Sequence, residues 1–343
     1  MKRFLIIGVI GAAAFWLLLL PAAVGLFLND RAPGWVAERA EDAERRYVPG
    51  WFSSRLMASD GSSWWLRLRA RHMPPLGLSW TRVRGELLSP VSPQGLKLSG
   101  RLRINGETDL DIEGRELTLR VEPAVQASAG SARFNRNRRG TTQLDLDLSG
   151  LDLHDVFGNQ LSFAQGQALL IWRQRGNGLA SLYMQLGLEG ATAIRLALQA
   201  ESVNVTALGE LRDGLEQLRG AVPDSVDQRL ALLTIAAAWQ QLSASGLAVT
   251  LHEFGIGPST RFSGHWSAGQ QQPDISGSGR IAALVDGLAP LVGMARGLDP
   301  VAGEQQTSDW IQTLVDGGWL SINGAEFEFR YPPPSGELNL PVP

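Results

Sequence analysis

From Trp64 onward the chain alternates apolar and polar residues with a period of two. Trp64, Leu66, Leu68 and Ala70 fall on one side of the first such stretch, and Trp65, Arg67, Arg69 and Arg71 on the other, the pattern of a half-buried strand with a basic outer face. The alternation returns over 78–88, 95–104, 108–122, 141–153, 159–174, 179–190 and 192–205. Turn residues such as Asn105-Gly106, Asn177-Gly178 and Gly190 separate these segments at intervals of roughly 10 to 16 residues. The expected architecture is an antiparallel meander. The segments are similar without repeating strictly, so neither a propeller nor a solenoid is expected. Ser128 to Gly140 lacks a clean period and reads as a long basic loop or an irregular strand.

Near residue 204 the period changes to that of a helix. Asn204 or Thr206 can cap a helix with Leu208, Leu211, Leu215 and Leu218 on its apolar face. Pro223 and Asp224 open a second helix running to about Leu242, with Val226, Leu230, Leu233, Ala237 and Trp239 inward. Such a pair normally covers one face of a sheet. Strands resume over 247–257, 260–268 and 274–284, followed by short helical pieces around 284–295 and 309–315. A closing hairpin turns at Asn323-Gly324 and sets Phe327, Phe329 and Tyr331 on one face. The proline-rich end, 332–343, reads as extended and exposed.

Upstream of all this, residues 4–28 carry no charged and no strongly polar side chain. As a helix this run would be roughly 37 Å long, enough to cross a hydrocarbon core of about 30 Å. Lys2 and Arg3 precede it, which favours an N-terminus kept on the cytoplasmic side and a body outside. A cleaved signal peptide is the competing reading. Its apolar core is usually about 7 to 15 residues, shorter than this run, and cleavage after Ala23 would place Pro21 at the minus-three position. Pro33 to Arg46 then reads as a short helical stalk with Trp35, Val36, Ala40, Ala43 and Tyr47 near one face. The resulting organisation is an anchor over 1–31, a stalk over 32–47, an antiparallel β region over 48–203, and a helical pair with further strands over 204–343 of the same body. The fold class is mainly β (α+β), a long antiparallel meander, curved or groove-forming, with a helical pair packed on it and one N-terminal transmembrane helix.

Charge changes the picture more than composition does. The net charge is −3, but residues 1–139 carry 21 Lys+Arg against 13 Asp+Glu, whereas residues 140–343 carry 10 against 21. A basic half beside a membrane can meet anionic headgroups, or simply pair with the acidic half. No cysteine is present, which removes disulfides, thiolate metal sites and a lipidated N-terminal cysteine. A bacterial periplasmic face is the preferred compartment.

Candidate chemistry is sparse. The four histidines, His72, His154, His252 and His265, form no ligand motif. Asp145, Asp147 and Ser149 imitate a calcium loop with Gly150 at its sixth position, but position twelve is Val156, and the leucines between them fit a strand with an acidic face. Gly277 to Ala282 imitates a dinucleotide fingerprint with Asp299 downstream, yet its strand is not an apolar run and Pro290 interrupts the helix that should follow. No GxSxG elbow or SxxK pair is present. The reading is therefore non-enzymatic, without cofactor, metal or catalytic residue. What remains is the set Trp65, Arg67, Arg69, Arg71, Trp80, Arg82 and Arg84, with Arg101 and Arg103 beyond it, where guanidinium suits phosphate or carboxylate and indole suits a headgroup interface. A solvated strand face is the plain alternative.

The segment Tyr47 to Ser54, with the strand leading to His72-Met73-Pro74, resembles the YdgA-like family of bacterial proteins of unknown function, as do the helix-forming 204–218 and the closing 317–329. Pro49 interrupts the first motif, and Met73 stands where the family usually has glycine. The resemblance implies inner-membrane anchoring with a periplasmic β-rich body and supplies no activity. The expected role is binding or handling of an amphiphilic envelope component, lipid or lipid-linked glycan. The alternative is a structural or assembly component contacting other envelope proteins. Nucleic acid is not an expected partner.

Overall fold

The computed structural model describes residues 44–333 except 49–52, 60–63, 73–78, 90–91, 104–106, 120–123, 191, 221, 223–224 and 271. The apolar run 4–28, most of the expected stalk, the turns at Pro74-Pro75 and Asn105-Gly106, and the tail from 334 lie outside the described residues. Within them the protein is mainly β, open antiparallel sheet with four helices, and no single helix is long and apolar enough to cross a membrane. The chain divides into two compact units, residues 1–120 with 126–148 and residues 121–125 with 149–343.

In the first unit β1 (Glu44–Val48), β2 (Ser53–Ser59), β3 (Trp64–His72), β4 (Ser79–Ser89), β5 (Ser92–Arg103) and β6 (Thr108–Leu119) pair as successive antiparallel neighbours. β7 (Ala124–Arg136) and the first part of β8 (Thr141–His154) continue in chain order. Strand β1 corrects the helix expected up to Arg46: Glu44, Arg45 and Arg46 stand opposite Ser59, Ala58 and Met57. An available strand edge satisfies their backbone groups, and that tertiary pairing overrides local propensity. The aperiodic stretch from Ser128 resolves as strand up to Arg136 and then a turn. There Asn137 Oδ1 accepts from the N–H groups of Arg139 (2.9 Å) and Thr141 (3.0 Å). The calcium-like aspartates lie in β8, where the Gln143 amide donates to Asp145 at 3.1 Å.

The apolar side of this unit is built from Leu68, Val83, Leu96, Leu98, Leu110 and Ile112, all half-buried. No helix accompanies it among the described residues of this unit. Where that side carries glycine, a neighbouring leucine fills the gap: Leu68 stands opposite Gly85 and Leu110 opposite Gly100, leaving no space for a Cβ at either.

The second unit opens with β9 (Gln160–Gln174), β10 (Leu179–Gly190) and β11 (Ile194–Asn204). Helices α1 (Val205–Gly220) and α2 (Val226–Ala244) follow. Next come β12 (Ala248–Ile256), β13 (Thr260–Ser267) and β14 (Asp274–Arg280), then α3 (Ile281–Arg296) and α4 (Pro300–Asp316), and finally β15 (Leu320–Asn323) and β16 (Glu326–Tyr331). Strand order follows the chain to β14, which pairs with β16 and leaves β15 outermost. The hairpin at Asn177-Gly178 turns with both residues at positive φ, and that at Asn323-Gly324 with Gly324 at φ 65°.

The first helix pair packs through small residues. Ala207, Ala231 and Ala238 are wholly buried, Ala207 clusters with Leu242, and Gly214 of α1 faces Ala231, Thr234 and Ile235 of α2. The expected inward faces are corrected: Leu208 and Leu215 on α1, and Val226, Leu230 and Leu233 on α2, are exposed. Trp239 stacks on Trp266 at 5.7 Å yet stays about half exposed. Close approach explains this. A Cβ at Gly214 would sit 2.9 Å from Ile235 Cγ1, so the helices meet where side chains are smallest and the leucines are pushed outward.

The short helical pieces expected after residue 284 are two full helices. Pro290 lies inside α3, which continues past it with Leu284, Gly287, Ala289 and Gly293 buried. Asp299 caps α4, accepting from the Ala302 N–H at 2.8 Å with Pro300 in the first turn, which accounts for the spacing that imitated a dinucleotide site. The core here is Ile256, Leu284, Ile311, Leu314, Leu320 and Phe327, with Phe262 and Phe329 against it.

Candidate functional site

In β3, Arg67, Arg69 and Arg71 alternate with Leu68 and Ala70, and the pleat sends the arginines to the exposed side. Pairing then assembles the field. One cross-strand row runs Arg55, Arg69, Arg84, Ser99, Asp111, and the next runs Ser53, Arg71, Arg82, Arg101, Asp109. A third row sets Arg67 opposite Glu86, and Glu86 opposite Lys97. Neighbouring strands are about 4.8 Å apart, so these guanidinium groups stand side by side, an arrangement that like charges disfavour.

Two carboxylates at the border of the field, Asp109 and Asp111, are held by other cations. Arg103 holds Glu107 at 2.8 Å and Asp109 at 3.2 Å, while Arg133 holds Asp111 at 2.9 Å. Asn135 adds a hydrogen bond to Asp109 at 2.8 Å. The hydrogen bond and charge of Asp111 raise the Arg133 pKa. Among the described residues, Arg55, Arg69, Arg71, Arg82, Arg84 and Arg101 make no ion pair. Two shallow depressions of about 550 and 440 Å³ lie along this face, the first lined by Arg67, Arg69, Arg84 and Lys97 together with Glu86, Asp111 and Glu113, the second by Arg82, Arg84, Arg101 and Arg133 together with Asp109 and Asp111.

Of the residues singled out from sequence, the five arginines thus share one face, and Arg103 leaves the set because its charge is spent on Glu107 and Asp109. Trp65 lies in β3 and Trp80 in β4, their side chains outside the described residues. Arg55 belongs to the field although sequence reasoning passed over it. Its strand, 53–59, lacks the apolar alternation that marked the others.

The second unit carries a site of opposite character. Between α3, α4 and the sheet is a cavity of 550 Å³ walled by Leu, Phe, Trp, Ile and Pro side chains and Tyr331. Nothing in the periodicity points to it, because it is assembled from five strands and two helices. On the outer side of the same strands, His252 Nε2 lies 3.0 Å from Gln199 Oε1, and His265 Nδ1 lies 3.1 Å from Thr250 Oγ1. Among the described residues no three His, Asp or Glu side chains are grouped to hold a metal ion. No protein-family model, no curated protein and no solved structure matches the chain.

Proposed function

We propose that the protein is a membrane-anchored, non-enzymatic binder of an anionic amphiphile of the cell envelope, a lipid or a lipid-linked glycan. Residues 4–28 serve as a single-pass anchor, the N-terminus stays inside, and the β-rich body works at the outer, periplasmic face. The observation that carries this reading is the double row of six exposed arginines on β2–β5, which make no ion pair among the described residues. Direct like-charge neighbours cost stability, and an anionic ligand offsets that cost. Phosphate and carboxylate accept two parallel guanidinium hydrogen bonds, which lysine cannot supply in the same geometry. The half-buried leucines on the opposite side, with no helix over them among the described residues, favour a sheet curled into an apolar groove.

Protein isolated from membranes with its anchor intact should carry co-purifying anionic lipid detectable by mass spectrometry. Absence of any such lipid, together with no binding to anionic vesicles, would overturn the reading. A second reading, assembly with other envelope proteins, is favoured by the exposed apolar side chains Val226, Leu230 and Leu233 at helical spacing on α2. Crosslinking in intact cells that retrieves one protein at high yield through α2 would favour it.

A further inference from the structure

We infer that the cavity of the second unit is a binding site for one fatty acyl chain. This deepens the amphiphile reading but rests on a different unit and on separate observations. Its deep wall is Leu284, Leu314 and Leu320, at 3, 9 and 2% exposure, and its mouth is marked by Trp310 at 49%. At 550 Å³ it falls within the range of about 300–1,000 Å³ that holds small ligands.

The lining decides the ligand class. No charged side chain contributes, and the polar groups among the lining residues are the Tyr331 hydroxyl and the indoles of Trp310 and Trp319, the Trp310 ring lying half exposed at the mouth. The Trp319 Nε1 is buried and has no hydrogen-bond partner among the described residues, one donor beside an almost wholly apolar lining. A polar metabolite in such a site would lose its hydration and find almost no replacement. A methylene chain loses nothing of that kind, and its polar end can remain at the mouth.

The space is also built into the fold. Protein interiors are close-packed, and a void of this size ordinarily collapses. Here α3 is seated tightly on β12, with Gly287 against Ile256 so closely that no Cβ fits, while Leu284 and Leu288 on either side of that contact face the cavity. α4 is fixed to α3 by a second close approach, a Cβ at Gly303 falling 3.0 Å from the Ala289 carbonyl oxygen. The helices are therefore held where they are by backbone contacts, and the cavity is what lies between those contacts and the sheet.

The test uses the full chain in detergent, a radiolabelled palmitate and a diazirine-bearing analogue of it. Saturable uptake of one chain per protein, with photocrosslinks on Trp310, Leu288 or Tyr331, is expected. Leu288→Trp and Leu251→Trp, which fill the space from opposite walls, should each weaken uptake at least tenfold. Both should leave binding to anionic vesicles through the arginine face unchanged. Non-saturable labelling, crosslinks confined to the exposed leucines of α2 or to the arginine strands, or full uptake by both filled variants would overturn the inference. Wild-type crosslinking decides the matter if either variant fails to fold.

Discussion

The ring of Phe262 lies over Gly277. The two residues stand directly opposite one another in the β13–β14 pairing, and the ring occupies the place a Cβ at position 277 would take. Phe262 also meets Phe327 at 5.9 Å and Phe329 at 5.8 Å, so one aromatic ring bridges a glycine strand and the hairpin beyond it. Gly277→Ala should therefore destabilise the protein by about 1–3 kcal/mol through overpacking. Urea unfolding of Gly277→Ala, Phe262→Leu and the double variant measures it. The double variant should be less destabilised than the sum of the two, and strict additivity would show that ring and glycine are not in contact.

Asn159 ties a turn to a helix end. It is buried, its side-chain amide donates to Asp155 Oδ2 and to the Leu298 carbonyl, each at 2.7 Å, and Gly293 of α3 leaves the room it needs. Asn159→Ala should cost about 1–3 kcal/mol because it leaves the Leu298 carbonyl without this donor. Gly293→Ala should also destabilise, since a methyl group there overlaps the Asn159 amide. Thermal unfolding followed by circular dichroism distinguishes both from neutral changes.

Asp155 gives that turn a pH dependence. Partial burial works to raise its pKa, but hydrogen bonds from the Asn159 side chain and from the backbone N–H groups of Asn159, Phe157 and Gly158 outweigh it, and the pKa is lowered. A carboxyl whose folded pKa is depressed contributes stability above its unfolded pKa, and that stability is lost as pH falls through the folded value. The stability difference between the native chain and Asp155→Asn should hold near neutrality and shrink below about pH 4, the ordinary aspartate range. A difference that grows on acidification would contradict the assignment.

The first helix pair separates packing from hydrophobicity. Ala238→Leu should destabilise by about 1–3 kcal/mol, because its site is filled. Leu233→Ser, at a site 66% exposed, should change stability by no more than about 0.5 kcal/mol. Denaturant midpoints of the two variants provide the comparison, and the reverse order would restore the leucine face as the buried one.

That contrast shows where sequence reasoning succeeds and stops. The strands from β3 to β14, apart from β7, were legible because a half-buried pleat imposes a period of two, and Arg67, Arg69 and Arg71 write that period in charge. Their meeting with Arg82 and Arg84 followed once chain-order pairing was assumed. The face of α2 was not legible: Leu230, Ala231, Leu232 and Leu233 are consecutive and apolar, so no stripe marks the inner side, and the contact is chosen by how closely Ala231 approaches Gly214. Likewise the start of α3 was missed: residues 281–284 were assigned to the preceding strand, whereas they open a helix that runs on through Pro290, held by buried residues on both sides of it. The apolar cavity leaves no periodic trace, because its walls come from seven elements.

The most direct test of the anionic-amphiphile reading is flotation of the full chain, its anchor already held in neutral-lipid nanodiscs, with vesicles of anionic or zwitterionic lipid, comparing the native protein with an Arg69→Gln, Arg82→Gln, Arg84→Gln variant. Each arginine near an anionic surface contributes about 1 kcal/mol, so the triple variant should bind anionic vesicles on the order of a hundredfold more weakly, and raised salt should weaken the native protein in the same direction. Equal flotation of the two proteins on anionic vesicles, at low and high salt alike, would contradict the role assigned to the arginine rows.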